Sequence, residues 1–123
     1  MLEEVQQCFV QIAREIASRE KLLIVTPEPD EVLKQIENQV NMDHVVFLQA
    51  ETNDTWARDH GAITMLDGNA ATLLDFKFNG WGLKFASDKD NLITLKAVEK
   101  GVLKGQYQNR LGFVLEGGSL ESD

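Results

Sequence analysis

The sequence predicts an α/β fold in one domain of 123 residues. Three observations lead there: an amphipathic helical pattern opens the chain, short apolar runs bounded by turn residues follow it, and helical and strand-like patterns then alternate. Residues 2–19 read as a helix, because Leu2, Val5, Phe9, Ile12 and Ile16 recur at steps of three and four and form one apolar stripe. "KLLIVTP" (21–27) reads as a buried strand stopped by Pro27. "PDEVLKQIENQ" (29–39) has an acidic first turn and places Val32, Leu33 and Ile36 on one face, which predicts a second helix. "HVVFLQA" (44–50) is another buried strand, so strand, helix and strand fit the length of a βαβ crossover. "GAITMLDGNAATLLDFKF" (61–78) holds two apolar runs around Asp67-Gly68-Asn69 and predicts a hairpin. "FNGWGLKF" (78–85) is glycine-bearing and aromatic and reads as loop. Residues 88–105 open with capping types and repeat Leu92, Leu95, Val98 and Val102, a third helix. "RLGFVLEGG" (110–118) is a last strand running into a glycine turn. No linker-like segment divides the chain.

Composition narrows the function classes. Twenty acidic residues against twelve basic ones give a net charge of -8. That sign repels phosphate backbones and anionic lipid, which argues against nucleic-acid and membrane-surface partners. It steers a cationic ligand favourably, and it equally suits an ordinary soluble acidic protein. The single cysteine, Cys8, forms no internal disulfide and neighbours the apolar stripe of the first helix, so it is expected to be a buried packing residue. No apolar run approaches the ~20 residues of a membrane span. The acidic, amphipathic start lacks the basic and then apolar segments of a secretory signal, so the chain reads as cytoplasmic. Two distant histidines and one helical cysteine give no metal-ligand spacing, and Gly80 and Gly82 of "NGWG" are not followed by the lysine and Ser/Thr of a phosphate loop.

Two stretches carry chemistry. "NDTWARDHGAI" (53–63) places Asp54, Trp56, Arg58, Asp59 and His60 at a strand–hairpin junction, where sites are usually assembled. A carboxylate beside an indole suits a planar cation, since the carboxylate accepts paired N–H bonds and the ring stacks on the guanidinium plane. The same residues are also compatible with a turn held by a local Arg58–Asp salt bridge, with Trp56 in the core. In "LEGGSLESD" (115–123), Glu116 follows an apolar strand and precedes Gly117 and Gly118. The glycines permit close backbone approach, so Glu116 can face a ligand, or they form a plain strand-end turn. His60 reads as a polar contact more readily than a general acid or base, and His44 has no partner in sequence.

"NDTWARDHGAI", "DFKFNGWG" and "LEGGSLESD", in this order and at these intervals, resemble the agmatine deiminase and bacterial-type peptidyl-arginine deiminase family of guanidino-modifying enzymes. The resemblance spans residues 51–123. It implies a partial five-bladed α/β propeller (the pentein fold) built of ββαβ-like units, of which this chain would hold about the first two. It implies hydrolysis of a guanidinium through a cysteine-thiolate intermediate, with ammonia released and no metal or organic cofactor. The family's W-x-R-D element matches Trp56, Arg58 and Asp59, making Asp59 a guanidinium-binding carboxylate and Trp56 the aromatic beside it. Its E-G-G element matches Glu116, Gly117 and Gly118, making Glu116 the second active-site carboxylate. Asn79 and Trp81 of the "FNGWG" loop are expected to line the substrate.

The departures are Arg58-Asp59-His60-Gly61-Ala62 where the family often continues R-D-T-G-P, and Glu121 at a position the family often fills with histidine. The family's later H-x-D element and nucleophilic cysteine have no counterpart here, and Cys8 cannot stand in for that nucleophile. The expectation is therefore an incomplete deiminase domain over 1–123, inactive alone and prone to pair with copies of itself through open strand edges. A small cationic guanidino compound is the expected substrate. Agmatine is favoured over peptidyl-arginine, because the loop offers only Lys84 to hold a substrate carboxylate. A non-catalytic α/β interaction module is the reading from another class.

Overall fold

The computed structural model describes residues 1–121. Ser122 and Asp123, which end the "LEGGSLESD" stretch, lie outside the described residues. The chain divides into two compact units, Met1–Ala50 and Glu51–Asp123.

The first unit contains helix α1 (Leu2–Ala17), strand β1 (Leu22–Thr26), helix α2 (Pro29–Ile36) and strand β2 (Val45–Gln49). Pro29 begins α2, where its missing N–H removes nothing from the helix. β1 and β2 run parallel with Leu22 opposite Val45 and Thr26 opposite Gln49, so the expected βαβ crossover is present. Its core gathers Ala13, Ala17, Ile36 and Val40, with Val10, Leu22, Ile24 and Phe47 packed against them.

The face of α1 differs from the sequence expectation. Leu2 is 72% exposed and Phe9 52%, with Val5 and Ile12 also exposed, whereas Ala13 and Ala17 are buried. The two alanines lie one turn apart and let the helix backbone approach the sheet closely, which the larger residues of the apolar stripe would prevent. Cys8 is exposed, not a packing residue, because it belongs to the part of α1 that the core does not cover. His44, which has no partner in sequence, donates from Nδ1 to the carbonyl of Ala17 at 2.8 Å and ties the start of β2 to the end of α1.

The second unit begins with a one-turn helix, α3 (Ala57–His60), followed by β3 (Ile63–Asp67), β4 (Ala70–Lys77), a further turn α4 (Gly80–Leu83), helix α5 (Ile93–Glu99) and β5 (Gln106–Val114). The sheet order is β3-β4-β5. β3 and β4 form the expected hairpin, with Asp67 opposite Ala70. β5 lies parallel to β4 after the α5 crossover, and a register shift at Phe76/Lys77 places Lys77 opposite Val114. β3, β4, α5 and β5 thus make a ββαβ unit. The third helix is shorter than its pattern predicts. A 3₁₀ turn occupies Asp90–Leu92, and α5 buries Ile93, Thr94 and Ala97. Leu92 itself is exposed.

Asp75 and Asp90 are both sealed in this unit. Asp75 on β4 is 1% exposed. It accepts from the Tyr107 hydroxyl of β5 at 2.9 Å and from the Thr94 hydroxyl of α5. Burial pushes its carboxyl above the usual carboxylate range, while the two hydroxyls pull it back. Burial, then the bond to Asp75, raises the Tyr107 phenol to about 12. Among the described residues no helix is long and apolar enough to cross a membrane.

Candidate active site

The loop 51–56 is held by side chains that bond the backbone. Asp54 Oδ1 accepts from the Trp56 N–H at 2.7 Å, an Asx turn that presents Trp56 outward at 65% exposure. Trp56 is therefore not a core aromatic. α3 follows, with the Asp59 N–H bonded to the Trp56 carbonyl at 2.9 Å. Its single turn points Asp59 and His60 in different directions. Asp59 is half-buried, while His60 is 8% exposed and faces the Phe78 ring at 6.2 Å. His60 Nδ1 has no hydrogen-bond partner among the described residues.

Glu116 sits where β5 ends, immediately before the 3₁₀ turn Gly117–Ser119. This turn lies against α3, and that approach requires glycine at position 117. A Cβ at Gly117 would collide with the carbonyl oxygen of Arg58, and one at Gly118 would collide with Asp59 Oδ1. That same Cβ would stand 3.6 Å from Glu116 Oε1, so both predicted carboxylates come close to one glycine. Arg58 faces elsewhere: its Nη2 donates to the Leu120 carbonyl at 3.0 Å, clamping the glycine turn onto α3. Arg58 forms no ion pair among the described residues, so the local salt bridge that could have explained this motif is replaced by a backbone clamp.

α4 carries the "FNGWG" motif in an unusual conformation. Gly80, Trp81, Gly82 and Leu83 have φ of 61, 54, 79 and 67°, four left-handed residues in succession. The Leu83 N–H bonds the Asn79 carbonyl at 2.7 Å and the Lys84 N–H bonds the Gly80 carbonyl at 3.0 Å, so this is a left-handed helical turn. Left-handed geometry costs a non-glycine residue about 1–2 kcal/mol, and Trp81 and Leu83 both bear it. Packing holds the turn: Trp81 meets Phe78 edge-on at 5.3 Å and Phe85 at 5.8 Å. Asn79 Oδ1 accepts from the Gly82 N–H at 2.9 Å, so that oxygen serves the turn. Lys84 lies 5.4 Å over the Phe85 ring.

Asp59 and Glu116 are each half-buried. A cleft of about 400 Å³ lies between α1 and α2 of the first unit, lined by Glu3, Gln6, Gln7, Val10, Gln35 and Gln39. Its lining carries no residue of either motif, so the carboxylate pair, not the cleft, defines the candidate site. Among the described residues no group of three or more His, Cys, Asp or Glu is placed to hold a metal ion. Sequence reasoning missed Asp90 and Asn91, whose side chains bond the backbone of both motif loops. The only available signal was their place at a helix start, which predicts capping and not long-range contacts.

The two carboxylates meet at Gly118, while Trp56 is turned outward and Trp81 packs on Phe78 and Phe85. Residues 1–123 match the family described as Porphyromonas-type peptidyl-arginine deiminase, and the chain belongs to that family. A Selenomonas ruminantium protein assigned as an agmatine deiminase is 32% identical over 98% of this chain and 34% of its own length. The crystal structure of a Porphyromonas gingivalis protein assigned as an arginine deiminase superposes with a TM-score of 0.88 at 42% identity, covering 100% of this chain and 37% of that one. A C. jejuni agmatine deiminase with substrate bound gives a TM-score of 0.79 at 34% identity, covering 96% of this chain and 34% of that one. The chain thus spans about a third of the length of the relatives it matches.

Proposed function

We propose that this chain is the N-terminal part of a cytoplasmic guanidinium iminohydrolase that converts agmatine and water to N-carbamoylputrescine and ammonia without a metal or organic cofactor. The observation that carries this reading is the convergence of Asp59 Oδ1 and Glu116 Oε1 on Gly118, in a chain of deiminase descent. Two carboxylates around one guanidinium accept its N–H donors in fixed geometry and offset the positive charge as the central carbon is attacked. Trp56 supplies a face for the cation, and Trp81 lines the same substrate together with Asn79. A cysteine thiolate and a proton-moving histidine come from a later part of the polypeptide. The thiolate adds to the guanidinium carbon, ammonia departs with the proton it is given, and water displaces the thiol. In this reading the two units are the opening part of one five-bladed propeller domain, and residues 1–123 alone are inactive.

The test uses the full-length enzyme containing this chain and measures ammonia release from agmatine. Asp59→Asn lowers kcat/KM by ~10²-fold or more with little change in melting temperature. Near-normal turnover would remove Asp59 from the site. Peptidyl-arginine is the second reading. It is favoured by the family description and by a solved structure assigned as a peptidyl-arginine deiminase, 38% identical with a TM-score of 0.85. Release of ammonia from arginine-containing peptides in preference to agmatine would decide for it.

A further inference from the structure

The two loops that carry the candidate substrate-lining tryptophans are far apart in sequence, yet both are bonded to one dipeptide. Asp90 Oδ1 accepts from the Asn53 N–H at 2.7 Å and from the Asp54 N–H at 3.2 Å. Asp54 in turn orients Trp56 through its own carboxylate. The next residue, Asn91, accepts from the Phe78 N–H through Oδ1 at 2.8 Å and donates from Nδ2 to the Phe78 carbonyl at 2.8 Å. Its Nδ2 also reaches the Ser87 carbonyl at 2.8 Å, closing the "FNGWG" loop at its other end.

From this we infer that Asp90 and Asn91 are a positioning pair that fixes the spacing between the Trp56–Asp59 arm and the Asn79–Trp81 arm. The inference deepens the guanidinium reading and rests on it. The geometry is economical: the dipeptide begins the 3₁₀ turn that leads into α5, so both side chains leave one rigid element. Each grips backbone, whose position a neighbouring side chain cannot alter by changing rotamer. Asp90 is 1% exposed, so its two bonds form away from competing water. Both amides bond Oδ1, whereas Asp90 Oδ2 is buried without a partner among the described residues, so losing either amide would leave the carboxylate still less satisfied. A reciprocal bond from the Lys89 N–H to Asn53 Oδ1 at 2.8 Å completes the junction. The pair touches neither carboxylate of the site. It acts on substrate through the tryptophan that each arm carries.

The chain's two tryptophans make the inference testable, because one lies on each arm. The full-length protein is labelled with 5-fluorotryptophan, and the ¹⁹F resonances of the two arms are assigned with Trp56→Phe and Trp81→Phe. Asp90→Ala displaces the Trp56 resonance, and Asn91→Ala displaces that of Trp81. Each lowers kcat/KM for the guanidino substrate about tenfold or more, as expected when binding groups shift by a fraction of an ångström. Asp90→Asn keeps the Oδ1 acceptor and recovers most of the loss. Asn91→Asp, equal in size but without the donor, reproduces the Asn91→Ala effect and decides the matter should an alanine variant not fold. Unmoved resonances in Asn91→Asp, or moved resonances with unchanged kcat/KM, would overturn the inference. If the wild-type protein turns over neither agmatine nor peptidyl-arginine, the functional reading fails by itself, and the resonances still report whether the pair sets the arms.

Discussion

Replacing Gly118 by alanine adds one methyl group close to both carboxylates. Real Cβ atoms stay beyond about 3.0 Å of neighbouring atoms, and here the new Cβ overlaps Asp59 Oδ1. Its distance of 3.6 Å to Glu116 Oε1 is ordinary contact, so Asp59 is the group that yields. The carboxylate must retreat by about 1 Å, a displacement that costs a positioned group ~10²-fold in rate. That factor corresponds to about 2.7 kcal/mol of transition-state stabilisation. Gly118 is exposed and lies outside the left-handed region, so alanine fits its backbone. The loss of unfolded-state freedom then stabilises the protein by about 0.4–1 kcal/mol. The assay is kcat/KM for ammonia release by the full-length enzyme, with melting temperature measured alongside. A ~10²-fold fall at undiminished stability is expected. Activity within about threefold of wild type would show that Asp59 does not need its present position, and would refute the two-carboxylate site.

Two further outcomes concern stability. Gly80→Ala meets the Phe85 carbonyl at a position with φ of +61°, so it destabilises the left-handed turn by about 1–3 kcal/mol and lowers the urea midpoint. Tyr107 keeps its proton in the folded protein up to about pH 12, whereas the unfolded phenol ionises near its ordinary value of 10.0. Its contribution to stability is therefore complete below the unfolded pKa and is lost as pH rises from about 10 towards about 12. Urea midpoints measured across that window fall for wild type, and Tyr107→Phe removes this part of the decline. An identical decline in the variant would exclude Tyr107 as its source.

The local signals were legible where they are local in physics. Two parallel strands around a helix, the hairpin at Asp67–Asn69 and the strand entering Gly117 all follow from residue types within a few positions of one another. The acidic first turn of α2 and the shortness of the apolar runs left few alternatives. The apolar stripe of α1 misled for the opposite reason. Periodicity identifies a face but not which face finds a partner, and the alanines at 13 and 17 won because they admit the sheet more closely.

The amino-acid order by itself determined that one carboxylate lies beside a tryptophan and another before two glycines, since neighbours in a short turn cannot separate. Only the tertiary structure decided that these carboxylates both come close to Gly118, that Arg58 holds a carbonyl and not an aspartate, and that Asp90 and Asn91 reach both loops. The physical reason is that such meetings depend on where β5 ends relative to α3 and on which side chains are left to satisfy buried backbone groups. Both are properties of the packed chain and of no single segment.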